Sequence, residues 1–193
     1  NITDIVLASF LSNVSVILLL LVPLITMRLL AEEKKQGTIE LLFTYPISDW
    51  QLVIGKYLAA CLIVLALLAP FTVFLLLLRV VGGGIEIGPL LAGFVGLLFV
   101  SASFVAVGLC ASATTDNQMV SASLGFGVLL LLWILGWARD MAGPPWNTLL
   151  VHLSLTQHYE NFLLGVIDTQ DVMFYVVFTL FFLIATFRLL EAR

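Results

Sequence analysis

The chain has 193 residues, 62% apolar and 10% charged, against about 45–50% and about 25% in an ordinary soluble domain. With a mean hydropathy of +1.16, this composition excludes a secreted disulfide scaffold, a disordered tail, a nucleic-acid binder and an ordinary soluble enzyme, and reads as an integral membrane protein. The formal net charge of -4 says less than the placement of the charges, because topology follows Lys and Arg in short loops.

Five uncharged stretches are long enough, or nearly so, for the roughly 20 residues of a spanning helix, and they predict an all-α, polytopic membrane helical bundle. The first, Ile5 to Met27, contains Pro23, a candidate kink. It follows Asn1-Ile-Thr-Asp, which has no initiator Met. One more N-terminal helix would give six spans with both ends inside, so five spans of six are expected here; a cleaved signal peptide is the competing explanation. After a charged elbow, the second span, Tyr57 to Leu78, contains Cys61 and Pro70. The third, Ile87 to Thr115, holds Cys110, and the fourth runs from Asn117 to Ala138. Small residues four apart in these two, Ala102 with Ala106, Ser121 with Gly125 and Ser123 with Gly127, let helices approach closely. Both cysteines sit in apolar runs and read as small hydrophobes rather than a disulfide framework. A further uncharged run, Met141 to Tyr159, is a poor span, because Pro144, Pro145, Asn147, His152, Gln157 and His158 would all need partners in hydrocarbon. It reads as an outer-face or re-entrant segment. The last span, Val172 to Phe187, is short, but Arg188 can snorkel and let the helix reach Leu190.

Four of the eight basic residues lie in Arg28 to Lys56, and Arg188 and Arg193 lie at the C-terminal end; the opposite side has only Arg79 and Arg139. The positive-inside rule therefore puts the elbow and the C-terminus in the cytoplasm and residue 1 outside. Asp140, Glu160, Asp168 and Asp171 then fall on the outer side.

The elbow, RLLAEEKKQGTIELLFTYPISDWQLVIGK, holds eight of the chain's charged residues, which comprise 8 Lys and Arg and 12 Asp and Glu. Arg28 with Glu32, and Glu32 with Lys35, are helical neighbours, so the first span is expected to continue as a helix to Gly37, a C-terminal stop. Thr38 can cap a short new helix in which Ile39, Leu42 and Phe43 form an apolar stripe, ended by Pro46. Ser48 and Gln51 form a capping box, Ile47 and Leu52 the accompanying staple, and Asp49 complements the dipole of a helix that runs past Lys56 into the second span. So short a helix needs a surface, either its flanking helices or a partner protein. An interfacial helix resting on lipid headgroups is the alternative. Against it, Glu32, Glu33, Glu40 and Asp49 would face an anionic inner leaflet.

The pattern E-x-x-x-G-T-x-E-x-L-x-x-x-P, here Glu33, Gly37, Thr38, Glu40, Leu42 and Pro46, followed by SDW and by Gly55-Lys56, resembles the permease subunit of ABC type-2 transporters, most closely the gliding-motility and nitrous-oxide-reductase-maturation branch. The resemblance implies one transmembrane permease domain over 1–193, lacking its first span, with a cytoplasmic elbow at 28–56 and an outer-side loop with short or re-entrant helices at 139–171. It implies a multi-pass protein of the bacterial inner membrane, an exporter whose partners are an ABC ATPase subunit, a second permease copy or sister permease, and membrane lipid. Gly37, Thr38, Ile39, Glu40, Leu41, Leu42 and Phe43 would form the coupling helix in a cleft of the ATPase. Arg28, Glu32, Glu33, Pro46, Ser48, Asp49, Gln51 and Lys56 would shape the elbow. ATP and Mg would belong to the ATPase, and the substrate is not identified.

No nucleotide motif is present in the sequence: Gly82 to Gly84 are followed by Ile85-Glu86, and Gly55-Lys56 has Trp50 where a P-loop needs its first glycine. A membrane protease is a poor fit, since Ser123-Leu-Gly-Phe-Gly127 is only near a G-x-S-G setting and both histidines fall in the outer loop. Glu32-Glu33 and His152/His158, on opposite faces about 30 Å or more apart, cannot share a metal. The spans hold no ring of charge to mark an ion path. The rival to transport is a structural or force-transmitting membrane subunit of a larger complex.

Overall fold

A computed structural model describes residues 2–38, 48–82, 87–138 and 154–192. Among these the chain forms α1 (Ile2–Thr26), α2 (Ala31–Lys35), α3 (Asp49–Gly82), α4 (Ile87–Thr114), α5 (Gln118–Ala138), α6 (Leu155–Leu163) and α7 (Thr169–Glu191), and no strand. Five helical stretches are long and apolar enough to cross a membrane, in the order expected. The all-α polytopic bundle predicted from the sequence is the architecture observed.

The bundle is organised around α4, which packs against α1, α3, α5, α6 and α7. A helix that is apolar all round is a buried helix, and α4 adds small residues at its contacts. Leu97, Val100, Phe104, Val105 and Val107 form its part of the main core with Leu11, Leu18 and Val22 of α1 and Leu129 of α5. By contrast α5 and α7 leave Met119, Leu131, Val177 and Phe181 exposed, as outward faces in hydrocarbon would be. Pro23 and Pro70 lie within α1 and α3, which run on past them. Cys61 and Cys110 are free, half-buried thiols.

Close approach is concentrated at particular glycines. A Cβ at Gly108 would lie 2.1 Å from Thr26 Oγ1, and one at Gly96 would lie 2.5 Å from Phe162 Cβ. Gly108 thus seats α1 against α4, and Gly96 seats α6. Gly108→Ala is expected to cost about 1–3 kcal/mol by overpacking, read as a lowered midpoint of denaturant unfolding in bicelles. A midpoint equal to wild type would contradict that close seat. Of the small pairs in the fourth span, Gly125 packs at ordinary contact against Ala111 and Pro23, whereas Gly127 meets open space.

Two expectations about the helices are corrected. The first span does not continue as one helix to Gly37: α1 stops at Thr26, residues 27–30 form a turn, and α2 restarts at Ala31. The last span begins earlier than Val172, because Asp168 caps α7, its carboxylate accepting from Gln170 N at 3.1 Å, and Asp171 is buried inside the first turn. The bundle has two chemically distinct ends. The elbow end carries α2, the start of α3 and the last turns of α4 and α7; the far end carries α6 and the start of α7.

Candidate functional site

At the elbow end the break between α1 and α2 is built by side chains from other helices. A helix terminus leaves orphan carbonyls and amides. Ser112 of α4 meets both kinds: its Oγ accepts from Leu30 N and Ala31 N, each at 3.0 Å, and donates to the Met27 carbonyl at 3.1 Å. Thr26 turns its own hydroxyl back to the Val22 carbonyl at 2.8 Å. Lys34 Nζ donates to the Ala113 carbonyl at the end of α4. These contacts take up backbone groups that the break between α1 and α2 leaves without intrahelical partners.

The second anchor comes from α3. Lys56 Nζ donates to the Leu29 carbonyl at 2.6 Å and pairs with Glu33 Oε1 at 2.5 Å. Among the described residues, Glu33 Oε2 is buried without a hydrogen-bond partner. Around these polar contacts Leu30, Val53, Ala106, Leu109, Ala113, Leu183 and Leu190 form an apolar cluster drawing on the elbow, α3, α4 and α7. Trp50 stacks on Phe187 with ring centroids 4.8 Å apart, tying the start of α3 to the end of α7.

The structure brings several predicted elbow residues together. Gly37 has φ +70, a left-handed conformation that glycine adopts without penalty, and it ends the helical turn after α2. The capping box is formed reciprocally, Ser48 N donating to Gln51 Oε1 at 3.1 Å and Gln51 N to Ser48 Oγ at 3.4 Å. Asp49 stands in the first turn of α3. Thr38 Oγ1 donates to the Glu33 carbonyl at 3.3 Å, so its hydroxyl serves the end of α2. Arg28 lies exposed in the turn rather than on a helix face beside Glu32, whose carboxylate accepts from Gln36 at 3.2 Å. Ile39, Glu40, Leu41, Leu42, Phe43, Pro46 and Ile47 lie outside the described residues. Sequence reasoning missed Ser112, 82 residues from Leu30, and the Trp50 to Phe187 stack; an isolated serine in an apolar span gives no signal of its partner.

The far end holds a buried polar cluster. Leu155, His158, Tyr159 and Phe162 form one buried stripe of α6, at i, i+3, i+4 and i+7. His158 Nδ1 lies 2.6 Å from Asp171 Oδ1, and Asn161 Nδ2 donates to Asp171 Oδ2 at 2.8 Å. An ionised Asp171 can only accept, which places a proton on Nδ1. His158 stacks on Phe174 at 3.9 Å, and Tyr175 OH donates to the Leu155 carbonyl at 2.8 Å. His158 is therefore a buried structural group, not the surface histidine the loop reading expects; His152 lies outside the described residues.

The geometry is that of a membrane bundle whose charged segment is clamped at one end by its central helix. No curated protein matches the chain. The sequence model described as ABC-2 family transporter protein matches residues 3–191. That match reaches into every helix described above, and the chain belongs to the ABC-2 transporter family.

Proposed function

We propose that this chain is the permease subunit of an ABC exporter of the gliding-motility and nitrous-oxide-maturation branch. Members of its family are membrane transport components, not themselves catalytic, that normally pair with an ABC ATPase. In this reading the elbow and the C-terminus are cytoplasmic, in the bacterial inner membrane. Residues 37–43 form the coupling helix, seated in a cleft of a separate ATPase that holds ATP and Mg. Two permeases, identical or sister chains, work with two ATPases, and the path they open lies between them.

The observation that carries the reading is the bracing of the segment's two flanks. A helix that transmits a push needs rigid supports, and here α2 is bonded to α4 through Ser112 and Lys34, and to α3 through Lys56. Displacement of residues 38–48 would therefore act on α4, and α4 touches every other spanning helix. Packed helices respond to such a push by small rigid shifts between two arrangements rather than by bending.

Glu40→Lys, or Ile39→Asp combined with Leu42→Asp, is expected to abolish co-purification of the cognate ATPase while leaving membrane insertion intact. Capture at wild-type level by these variants would sink the coupling-helix assignment. Capture of an ATPase whose hydrolysis moves no solute would instead favour the force-transmitting subunit.

A further inference from the structure

At the far end, α1, α5 and α6 enclose a cleft of about 380 Å³, a size that suits a small molecule. Its lining is divided. Ser12 and Asn13 of α1 and Gln157 and Glu160 of α6 make a polar wall; Val16 and Trp133 belong to an apolar one. Asn13 is exposed within a mostly apolar spanning helix, and a carboxamide left to hydrocarbon is costly. In the cleft it faces polar neighbours instead.

The walls are held in place. Tyr159 OH donates to the Leu11 carbonyl at 3.4 Å, joining α6 to α1, and burial pushes this phenol up, so it stays a donor. Gly136 of α5 receives Thr156 so closely that a Cβ would lie 2.1 Å from its Oγ1. Trp133 packs edge-on against Phe104 at 6.3 Å. Among the described residues, the one charge lining the cleft is the exposed carboxylate of Glu160. Its hydrogen bond is to the neutral amide of Gln157 at 3.3 Å, and among the described residues no cation pairs with it. Next to low-dielectric walls such a charge attracts a cation and repels an anion more strongly than it would in water.

We propose that this cleft binds an amphiphilic cation, with an ammonium head on the Glu160 and Asn13 wall and an alkyl chain along Val16 and Trp133. The inference deepens the transport reading and rests on it for the ligand's role as cargo. Binding itself needs no ATPase, so failure at the cleft and failure of ATPase capture at the elbow are separate results.

The test uses the full chain in phosphatidylcholine nanodiscs with two probes, a dansyl-tagged dodecylamine and an uncharged dansyl-tagged dodecanol. Binding is read as tryptophan-to-dansyl energy transfer above protein-free discs. The amine is expected to bind saturably. Glu160→Gln should weaken it at least tenfold without changing the response to the alcohol, Glu160→Asp should retain most of it, and Asn13→Leu should weaken it several-fold. Absence of saturable amine binding, amine binding unchanged in Glu160→Gln, or equal loss of both probes would overturn the proposal.

Discussion

Asp171→Ala is expected to destabilise the folded chain by about 2–5 kcal/mol, the scale for removing the shared acceptor of two hydrogen-bond donors in a buried cluster. Asp171 is 3% exposed and His158 6%, so neither group has water to fall back on. The substitution deletes the acceptor for the buried His158 Nδ1 and for the half-buried Asn161 Nδ2 together, and a buried donor that loses its acceptor carries a desolvation cost. It also removes one tie between α6 and α7, leaving α6 held by its apolar stripe, by the Tyr175 bond from α7 to Leu155 and by the Tyr159 bond to Leu11. Asp171→Asn should cost less, about 1–2 kcal/mol, since its amide oxygen still accepts from His158 and Asn161 can rotate to offer its own oxygen. Denaturant unfolding in bicelles measures both. A midpoint for Asp171→Ala within about 1 kcal/mol of wild type would show that the cluster is wet or redundant. The double variant Asp171→Ala with His158→Ala should cost less than the sum of the two single changes, because the pair acts as a unit.

Much of this bundle is legible in the sequence because hydrocarbon permits so few solutions. Long apolar runs without charge can satisfy their backbone only as helices, and five of them were marked by the positions of Lys, Arg, Asp and Glu alone. The local punctuation of the elbow was legible for the same kind of reason: Gly37 and the Ser48 to Gln51 box act through bonds between near neighbours. The errors share a cause. Treating every charge as a sign of water placed the start of the last span at Val172 and read Asp171 as a loop residue, whereas a histidine and an asparagine 13 and 10 residues before it supply its partners. Likewise the early end of α1 depends on Ser112, which looks like any small residue in an apolar helix. Pairings between distant turns are absent from periodicity. Only the packing of α4 against α1, and of α6 against α7, reveals them.

Ser112→Ala is expected to cost about 2–4 kcal/mol, from two buried backbone donors that lose their acceptor at about 1–2 kcal/mol each. Leu30 and Ala31 are both 0% exposed, and the first residues of α2 have no intrahelical carbonyl to turn to. The Met27 carbonyl loses its donor as well. Ser101→Ala is the internal control. That serine is also buried in α4, but among the described residues its hydroxyl bonds only to the Leu97 carbonyl of its own helix, at 2.5 Å, and this carbonyl keeps its helical amide. The control should therefore cost less than about 1 kcal/mol. Equal effects of the two substitutions on the unfolding midpoint would mean that serine burial, not the clamp, sets the cost. The clamp has a second consequence that separates it from general destabilisation. Without the Ser112 bonds, the turn at 27–30 and α2 would remain tied to α4 through Lys34 and to α3 through Lys56 but would open to solvent more readily, so limited proteolysis of Ser112→Ala should cut between Arg28 and Lys35 faster than wild type or Ser101→Ala at denaturant-free conditions. A displacement of the elbow would then reach α4 through Lys34 but not through the turn at 27–30. Under the proposed transport mechanism, Ser112→Ala would keep ATPase capture, which depends on residues 37–43, and weaken the coupling of hydrolysis to movement. Loss of capture together with loss of coupling would place Ser112 in the shape of the docking surface instead of in the transmission behind it.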